Sequence, residues 1–284
     1  MTIVELLATH DEGTLTLADI VRRTGQSRAT AHAVISELTA HQWVTRSPEG
    51  TFGLGPALIR LAGRITRADH LGHLARPVLN ALADELGIAC FLARRVGEHV
   101  TVTDSAYAAP TITPAGPPNW PTPGASTELR PPICREFIAW EAAPVRAAWV
   151  NRAPAALRTR LGLALDAVAQ RGASLERMTD AHTSLLTALD SLDPATIPTA
   201  VRGQVGELLS ALSVIDYLPD ELTDGPTHPV MSIGAPVFGA DGHVTASVVA
   251  CPHRTLDTVE LNRFITATRA AATRLCHSGP TDRR

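Results

Sequence analysis

Apolar residues recur at helical spacing along the first forty positions and then switch to alternation. Ile3, Leu6 and Leu7 share one face of a short predicted helix over 3–9, which ends in the polar turn His10-Asp11-Glu12-Gly13. Leu17, Ile20 and Val21 recur at i, i+3 and i+4 in a second predicted helix that opens near Thr16 and stops at Gly25. Ser27 is a good N-cap for a third, in which Val34, Ile35 and Leu38 form an apolar stripe facing the preceding helices. From Trp43 to Leu54 two alternating runs flank a Pro48-Glu49-Gly50 turn, a β-hairpin with Trp43, Val44, Phe52 and Leu54 available for burial. Two short helices joined at a glycine and followed by a hairpin predict a winged helix-turn-helix over 1–55.

The pattern changes twice more. Gly55-Pro56 leads into a predicted connector helix within 56–70, with Leu58, Leu61 and Ile65 in register and Arg60, Arg64 and Arg67 on the other side. A second domain is expected over 71–278, followed by a tail over 279–284. It opens with an amphipathic helix from Leu71 to Leu86 and a hairpin, 88–95 and 99–104, that turns at Val96-Gly97-Glu98. Helical segments dominate from Ile133 to Leu212. Two strands, 230–238 and 243–251, then flank the strong turn Gly239-Ala240-Asp241-Gly242, and a last helix runs from Leu256 to Leu275. Strands at both ends with helices between predict an α+β sheet domain. Residues 105–131, rich in proline around Trp120, cannot continue a sheet or helix; they are expected to be either a lid over a pocket, with Trp120 as its plug, or disordered.

Composition narrows the class. A chain of 284 residues, 45% hydrophobic and 19% charged, has the make-up of about two soluble globular domains, each large enough to bury a core. No apolar run approaches the ~18 residues of a membrane span, and no basic stretch precedes an apolar one at the start, so a cytoplasmic protein without membrane contact is expected. Although the net charge is -3, the stretch from Arg22 to Arg67 holds seven arginines against Glu37 and Glu49. A basic segment on an acidic chain points to a polyanion. Cys90, Cys134, Cys251 and Cys276 form no CxxC and are read as buried structural thiols, even though His253 and His277 sit near two of them; no metal and no cofactor is expected. GxSxG, HExxH, P-loop and Rossmann glycine motifs are all missing, and Asp220-Glu221 has no partner in view, so the chain is not read as an enzyme.

Three stretches carry a more specific signal: 17–25 (LADIVRRTG), 27–32 (SRATAH) and 46–55 (RSPEGTFGLG). Their ungapped order resembles the IclR-type bacterial transcriptional regulators. Ile233-Gly234-Ala235-Pro236-Val237-Phe238 followed by Asp241-Gly242 resembles their GAF-like effector-binding domain. The resemblance implies a winged helix-turn-helix, a linker helix and a GAF-like α/β effector domain. Its partners would be a double-stranded DNA operator, a small carboxylate or aromatic metabolite, and further copies of the chain as a homodimer or homotetramer.

Site residues follow from both lines of reasoning. The expected DNA-facing set is Ser27, Arg28, Ala29, Thr30, His32 and Ser36 on the recognition helix, with Arg46 on the wing; Ala33 stands where the family commonly has an arginine. The resemblance places Asp220, Ser232, Val248 and Ala250 near the effector. There the family's Ser-x-Ser-Gly-Pro reads Val248-Val249-Ala250-Cys251-Pro252, with two hydroxyls lost. Arg135 is read either as a clamp for an acid or, as the favoured reading, as a surface ion pair with Glu136 or Glu141. A repressor role modulated by a metabolite is expected, the alternative being a ligand-independent regulator whose second domain serves only to oligomerise.

Overall fold

The computed structural model describes residues 3–8, 10, 13–108, 122–179, 216–223 and 225–276, with backbone only for 65–68. It divides between His70 and Leu71 into two compact units.

In the first unit three helices, α1 (Ile3–Ala8), α2 (Leu17–Thr24) and α3 (Arg28–Ala40), pack beside a small sheet. The sheet has the order β1 (Thr14–Leu15), β3 (Phe52–Leu54), β2 (Val44–Arg46). Its core is Ile3, Leu6, Leu7, Leu15, Ile20, Ile35, Val44 and Phe52. Thr16 and Asp19 start α2 with a reciprocal capping box, and Gly25 ends it in the left-handed region at φ 69°, donating its N–H to Val21. Three residues expected to be buried are exposed: Val34, Trp43 and Leu54. Ala31 and Ile35 point α3 at the core and leave Val34 at the flank, while alternation puts Trp43 on the opposite face from Val44. Leu54 pairs with Val44 but sits at the end of its strand. Helix α4 (Pro56–Ala68) follows; its expected apolar stripe is half-buried at Leu58 and exposed at Leu61, and the neighbouring Ile59 is 76% exposed.

The second unit is an antiparallel sheet in the order β10-β8-β9-β4-β5-β6, with β7 also paired to β8. Its strands are β4 (Ala89–Val96), β5 (His99–Ala106), β6 (Ser126–Glu128), β7 (Ser174–Arg177), β8 (Thr227–Phe238), β9 (Val244–Cys251) and β10 (Arg254–Asp257). Helices α5 (His70–Leu86) and α8 (Thr258–Cys276) cover one face. Leu79, Leu82, Phe264 and Leu275 there meet Cys90, Leu92, Ile233, Ala235, Val248 and Ala250 of the sheet. The other face lies under a 3-10 turn (Arg135–Phe137), α6 (Ala143–Asn151) and α7 (Ala155–Arg171), where Phe137, Trp149, Leu161, Leu165 and Val168 gather around Ala93, Val100 and Val244. The α+β architecture expected from the alternation is therefore present. Three strands of this unit escaped the sequence pattern: β6, which forms inside the segment expected not to join a sheet, β7, which lies inside the stretch read as helical, and β10, which takes up the expected start of the last helix at Leu256. Trp120, most of the proline-rich segment, residues 180–215, His277 and the tail lie outside the described residues.

Candidate nucleic-acid and ligand-facing sites

Helix α3 is 13 residues long, about 20 Å. Ser27 caps it by accepting the Thr30 N–H at 3.1 Å, and the two hydroxyls pair at 2.8 Å, so both side chains are engaged in starting the helix. With Ala31 and Ile35 buried, a 100° step per residue places Ala29, Ala33 and Ser36 opposite the core and His32 at the edge of that face. Ser27, Arg28, Ala29, Thr30, His32 and Ser36 are all exposed, and among the described residues no ion pair holds Arg28. Arg46 is exposed on β2, with its guanidinium carbon 5.8 Å from the Phe52 ring centre, a cation–π contact that steadies it on the wing. Arg22, by contrast, is taken up by Asp19 one turn earlier. Hydrogen bonds from Thr16 and then Arg22 hold the Asp19 carboxyl below its ordinary range.

In the second unit the effector-related residues do not come together as expected. Val248 and Ala250 lie in the core under α5 and α8, whereas alternation along β9 puts Ser247, Val249 and Cys251 on the other face. Ser232 belongs to that other face and donates to Glu176 Oε2 at 2.5 Å. Asp220 is exposed at the start of a 3-10 turn. Glu221, beside it, does have partners: Arg160 at 2.8 Å and Arg177 at 3.0 Å. Burial works to raise the Glu221 carboxyl, but the Leu218 N–H and the two arginines outweigh it and hold it below the ordinary range.

Arg135 departs furthest from its expected role. It is no surface residue: its side chain is 3% exposed and its Nε donates to the fully buried Asp216. Asp216 also accepts from Arg171 Nη1 at 3.2 Å and from the Leu175 N–H, while Arg135 Nη1 donates to the Pro132 carbonyl. Burial alone would depress the Arg135 guanidinium, yet Asp216, Glu176 and Glu136 together drive it above its ordinary value. Neither a clamp for ligand nor a surface pair, it ties the 135–137 turn to β7. Asp216 was missed although it stands as a lone acid in the apolar run Val214-Ile215-Asp216-Tyr217-Leu218, the kind of position that needs a buried cation.

Of the cysteines, Cys90 and Cys251 are buried and Cys134 and Cys276 half-buried, so two of the four depart from the expected burial. Burial pushes the Cys90 thiol up to about 12 and those of Cys134 and Cys251 well above the ordinary range, which keeps them protonated. Among the described residues no group of three His, Cys, Asp or Glu could hold a metal ion, and no helix is long and apolar enough to cross a membrane. A groove of about 440 Å³ between α5 and α8 contains none of the candidate residues.

Residues 1–48 match the family model of the IclR helix-turn-helix domain. No curated protein matches the sequence. Among solved structures, the chain is similar to an IclR transcriptional regulator from Alicyclobacillus acidocaldarius, at 16% identity and a TM-score of 0.64, over 97% of this chain and 94% of that one. It is similar also to an IclR homologue from Microbacterium hydrocarbonoxydans complexed with 4-hydroxybenzoate, at 17% identity and a TM-score of 0.63, over 97% and 96%. HmgR of Pseudomonas aeruginosa follows at 17% identity and a TM-score of 0.58, over 96% and 95%. The chain carries an IclR helix-turn-helix domain at its amino-terminal end, and along nearly its whole length its fold is that of the IclR-type transcriptional regulators.

Proposed function

We propose that this protein is a sequence-specific DNA-binding transcriptional repressor whose operator affinity is set by a small metabolite bound in the second unit. It acts as a homodimer or homotetramer in the cytoplasm, not as an enzyme. The observation that carries the reading is α3 itself: a capped helix with Arg28, Ala29, His32 and Ser36 exposed, in one unit with the wing residue Arg46. Such a helix presents base-reading groups at its amino-terminal half, and the wing arginine meets phosphate. A single recognition helix of this length reads few base pairs, so two copies related by a two-fold axis supply an operator of useful length. A metabolite-responsive second unit is suggested by the Microbacterium homologue, whose structure holds 4-hydroxybenzoate.

Selection of genomic fragments by the full-length protein at ~0.15 M salt tests the reading, because non-specific affinity is then weak. Enrichment of a few palindromic sites is expected; binding without enrichment would refute sequence-specific recognition. On a selected site, Arg28→Ala should cost about 1–3 kcal/mol and relax the preference at one base, whereas Arg46→Ala should weaken binding to all sequences and lower the salt slope by about 1. Equal losses on all sequences from both variants would contradict the assigned roles.

A second reading is favoured by one observation, the burial of Val248 and Ala250 in the helix-side core where the family pattern has hydroxyls. On that reading the second unit only oligomerises. A ligand at 100 times its Kd adds about 2.7 kcal/mol of stability, so a broad small-molecule panel without a melting shift would favour it.

A further inference from the structure

The sheet face under the 135–137 turn carries a polar group for which DNA binding has no use. β7 and β8 bring Ser174, Glu176, Ser232 and Gly234 to this face, and β9 brings Ser247, Val249 and Cys251. Glu136 reaches down from the turn onto Gly234: a Cβ built there would lie 3.0 Å from Glu136 Oε1 and 2.7 Å from Ser174 Oγ, so glycine is what admits the carboxyl. Glu136 is 7% exposed, and its burial raises the carboxyl above the ordinary range against the opposing pull of Arg135 and its own backbone N–H. On the neighbouring strand Glu176 accepts from Ser232 Oγ at 2.5 Å, two positions along from the Ser174–Gly234 pair that Glu136 overlies.

Ser247 supplies an independent sign that something polar belongs here. In register, Gly234 faces Val249 and Pro236 faces Ser247, so Ser247 is the diagonal neighbour of the glycine under Glu136. Its side chain is fully buried, and Oγ has no hydrogen-bond partner among the described residues. Native proteins rarely leave a buried hydroxyl in that state.

The cations nearby are already committed. Arg135 donates to Asp216 and the Pro132 carbonyl; Arg171 donates to Asp216 and to the carbonyls of Ala173 and Tyr217. Arg177 lies over the Tyr217 ring, 4.3 Å from its centre, and pairs with Glu221; its Nε is buried without a partner, but Tyr217 belongs to the core on the helix side of the sheet. Among the described residues, the groups left toward the second face are therefore two carboxyl groups and a hydroxyl, with no cation beside them. Beside them Phe91, Tyr107 and Val249 form an apolar wall.

We propose that this face binds a small ligand carrying a protonated amine, the ammonium set between Glu136 and Glu176 with one N–H to Ser247 Oγ, and its apolar body against Phe91, Tyr107 and Val249. The site rests on the metabolite-responsive reading above and departs from the carboxylate that is one of the ligand classes the family resemblance implies, since an anion here would face two carboxyls and, among the described residues, no uncommitted cation.

Matched pairs of equal shape decide it: tyramine against 4-hydroxyphenylacetate, and benzylamine against benzoate, each titrated into the full-length protein while its melting is followed. The amine of each pair is expected to raise the carboxy-terminal transition by about 5 °C or more near saturation, with the carboxylate silent, and Glu176→Gln should weaken amine binding at least tenfold by calorimetric titration. Circular dichroism of Glu176→Gln establishes that the variant folds, and Ser247→Ala, a milder change, should weaken the amine severalfold. Stabilisation by the carboxylates and not the amines would overturn this inference and leave the metabolite reading standing. Amine binding unchanged in both variants would overturn the site. If neither pair shifts the melting and no member alters binding to the selected DNA, this inference falls, while the metabolite reading is decided by the broad panel.

Discussion

Removing the Asp216 carboxylate should be among the most damaging single changes in the second unit. Asp216 is fully buried and accepts from Arg135 Nε, Arg171 Nη1 and the Leu175 N–H, and Arg135 is itself 3% exposed. Asp216→Ala thus strands a buried guanidinium, removes one partner from a largely buried second one and leaves a strand N–H unpaired. Breaking a buried ion pair from one side costs about 3–5 kcal/mol, because the surviving charge has already lost its water. For a unit of this size, each kcal/mol moves the transition by about 2–4 °C, so a fall of roughly 6–20 °C is expected in calorimetry of the full-length protein. The paired change sharpens the test. Arg135→Met together with Asp216→Ala removes the stranded charge along with its counter-ion, and the double variant should melt above Asp216→Ala alone. A loss under about 1 kcal/mol for Asp216→Ala, or a double variant less stable than the single by the full cost of Arg135→Met, would refute the picture of a desolvated, coupled pair.

Two further changes probe the same physics elsewhere. Gly55→Ala puts a Cβ 2.1 Å from the Gln42 carbonyl oxygen and 2.8 Å from the Trp43 carbonyl carbon, both backbone atoms that cannot swing aside; a loss of about 1–3 kcal/mol in the first unit is expected, read as earlier urea unfolding with DNA binding lost in parallel, and an unchanged midpoint would count against the close approach. Glu136→Gln tests the buried carboxyl: with its folded value raised, the folded state holds the proton more tightly, so the stability it contributes is present below about 4.5 and lost as pH rises through the folded value. The variant should therefore melt above the parent at pH 7 and level with it in acid, and a parent that is the more stable at pH 7 would reverse that sign.

Much of the fold was legible because periodicity reports burial directly. Ile20, Ile35, Val44 and Phe52 are core residues that the 3.6- and 2-residue patterns single out, and the β8–β9 hairpin announces itself by Asp241-Gly242. Boundaries and short edge elements were not legible. β6 is three residues long and is held by pairing with β5, including Val100 to Thr127, a tertiary contact no local pattern encodes. Trp43 and Leu54 have the character of core residues but fall just before and at the end of short strands, where phase and position outweigh hydrophobicity. At the candidate ligand site the misreading had a definite cause. A family motif gives positions, yet only the register of β8 on β9 tells which face of the strand they occupy, and it turns Val248 and Ala250 inward while presenting Ser247. Arg135 was misjudged because its counter-ion lies 81 positions away in sequence, beyond any local pattern.

The small side chains of α3 bear on how such a module would recognise DNA. Opposite its core residues the amino-terminal half of the helix shows Ala29, Ala33 and Ser36, none of which can reach far, the exposed Glu37 beyond them pairs with His41, and the hydroxyls of Ser27 and Thr30 are already paired with each other. A narrow helix face seats deeply in a groove about 12 Å wide, but few of its groups can then donate to base edges. On the proposed reading, base-specific contact would fall on Arg28 and His32 at the flank, and affinity on phosphate contacts from exposed cations such as Arg23 and Arg46. A reader with so few base contacts per copy gains selectivity chiefly by doubling them, since each lost base contact costs only about 1–3 kcal/mol. That makes the arrangement of copies, rather than the chemistry of any one helix, the variable through which a ligand in the second unit could switch operator occupancy.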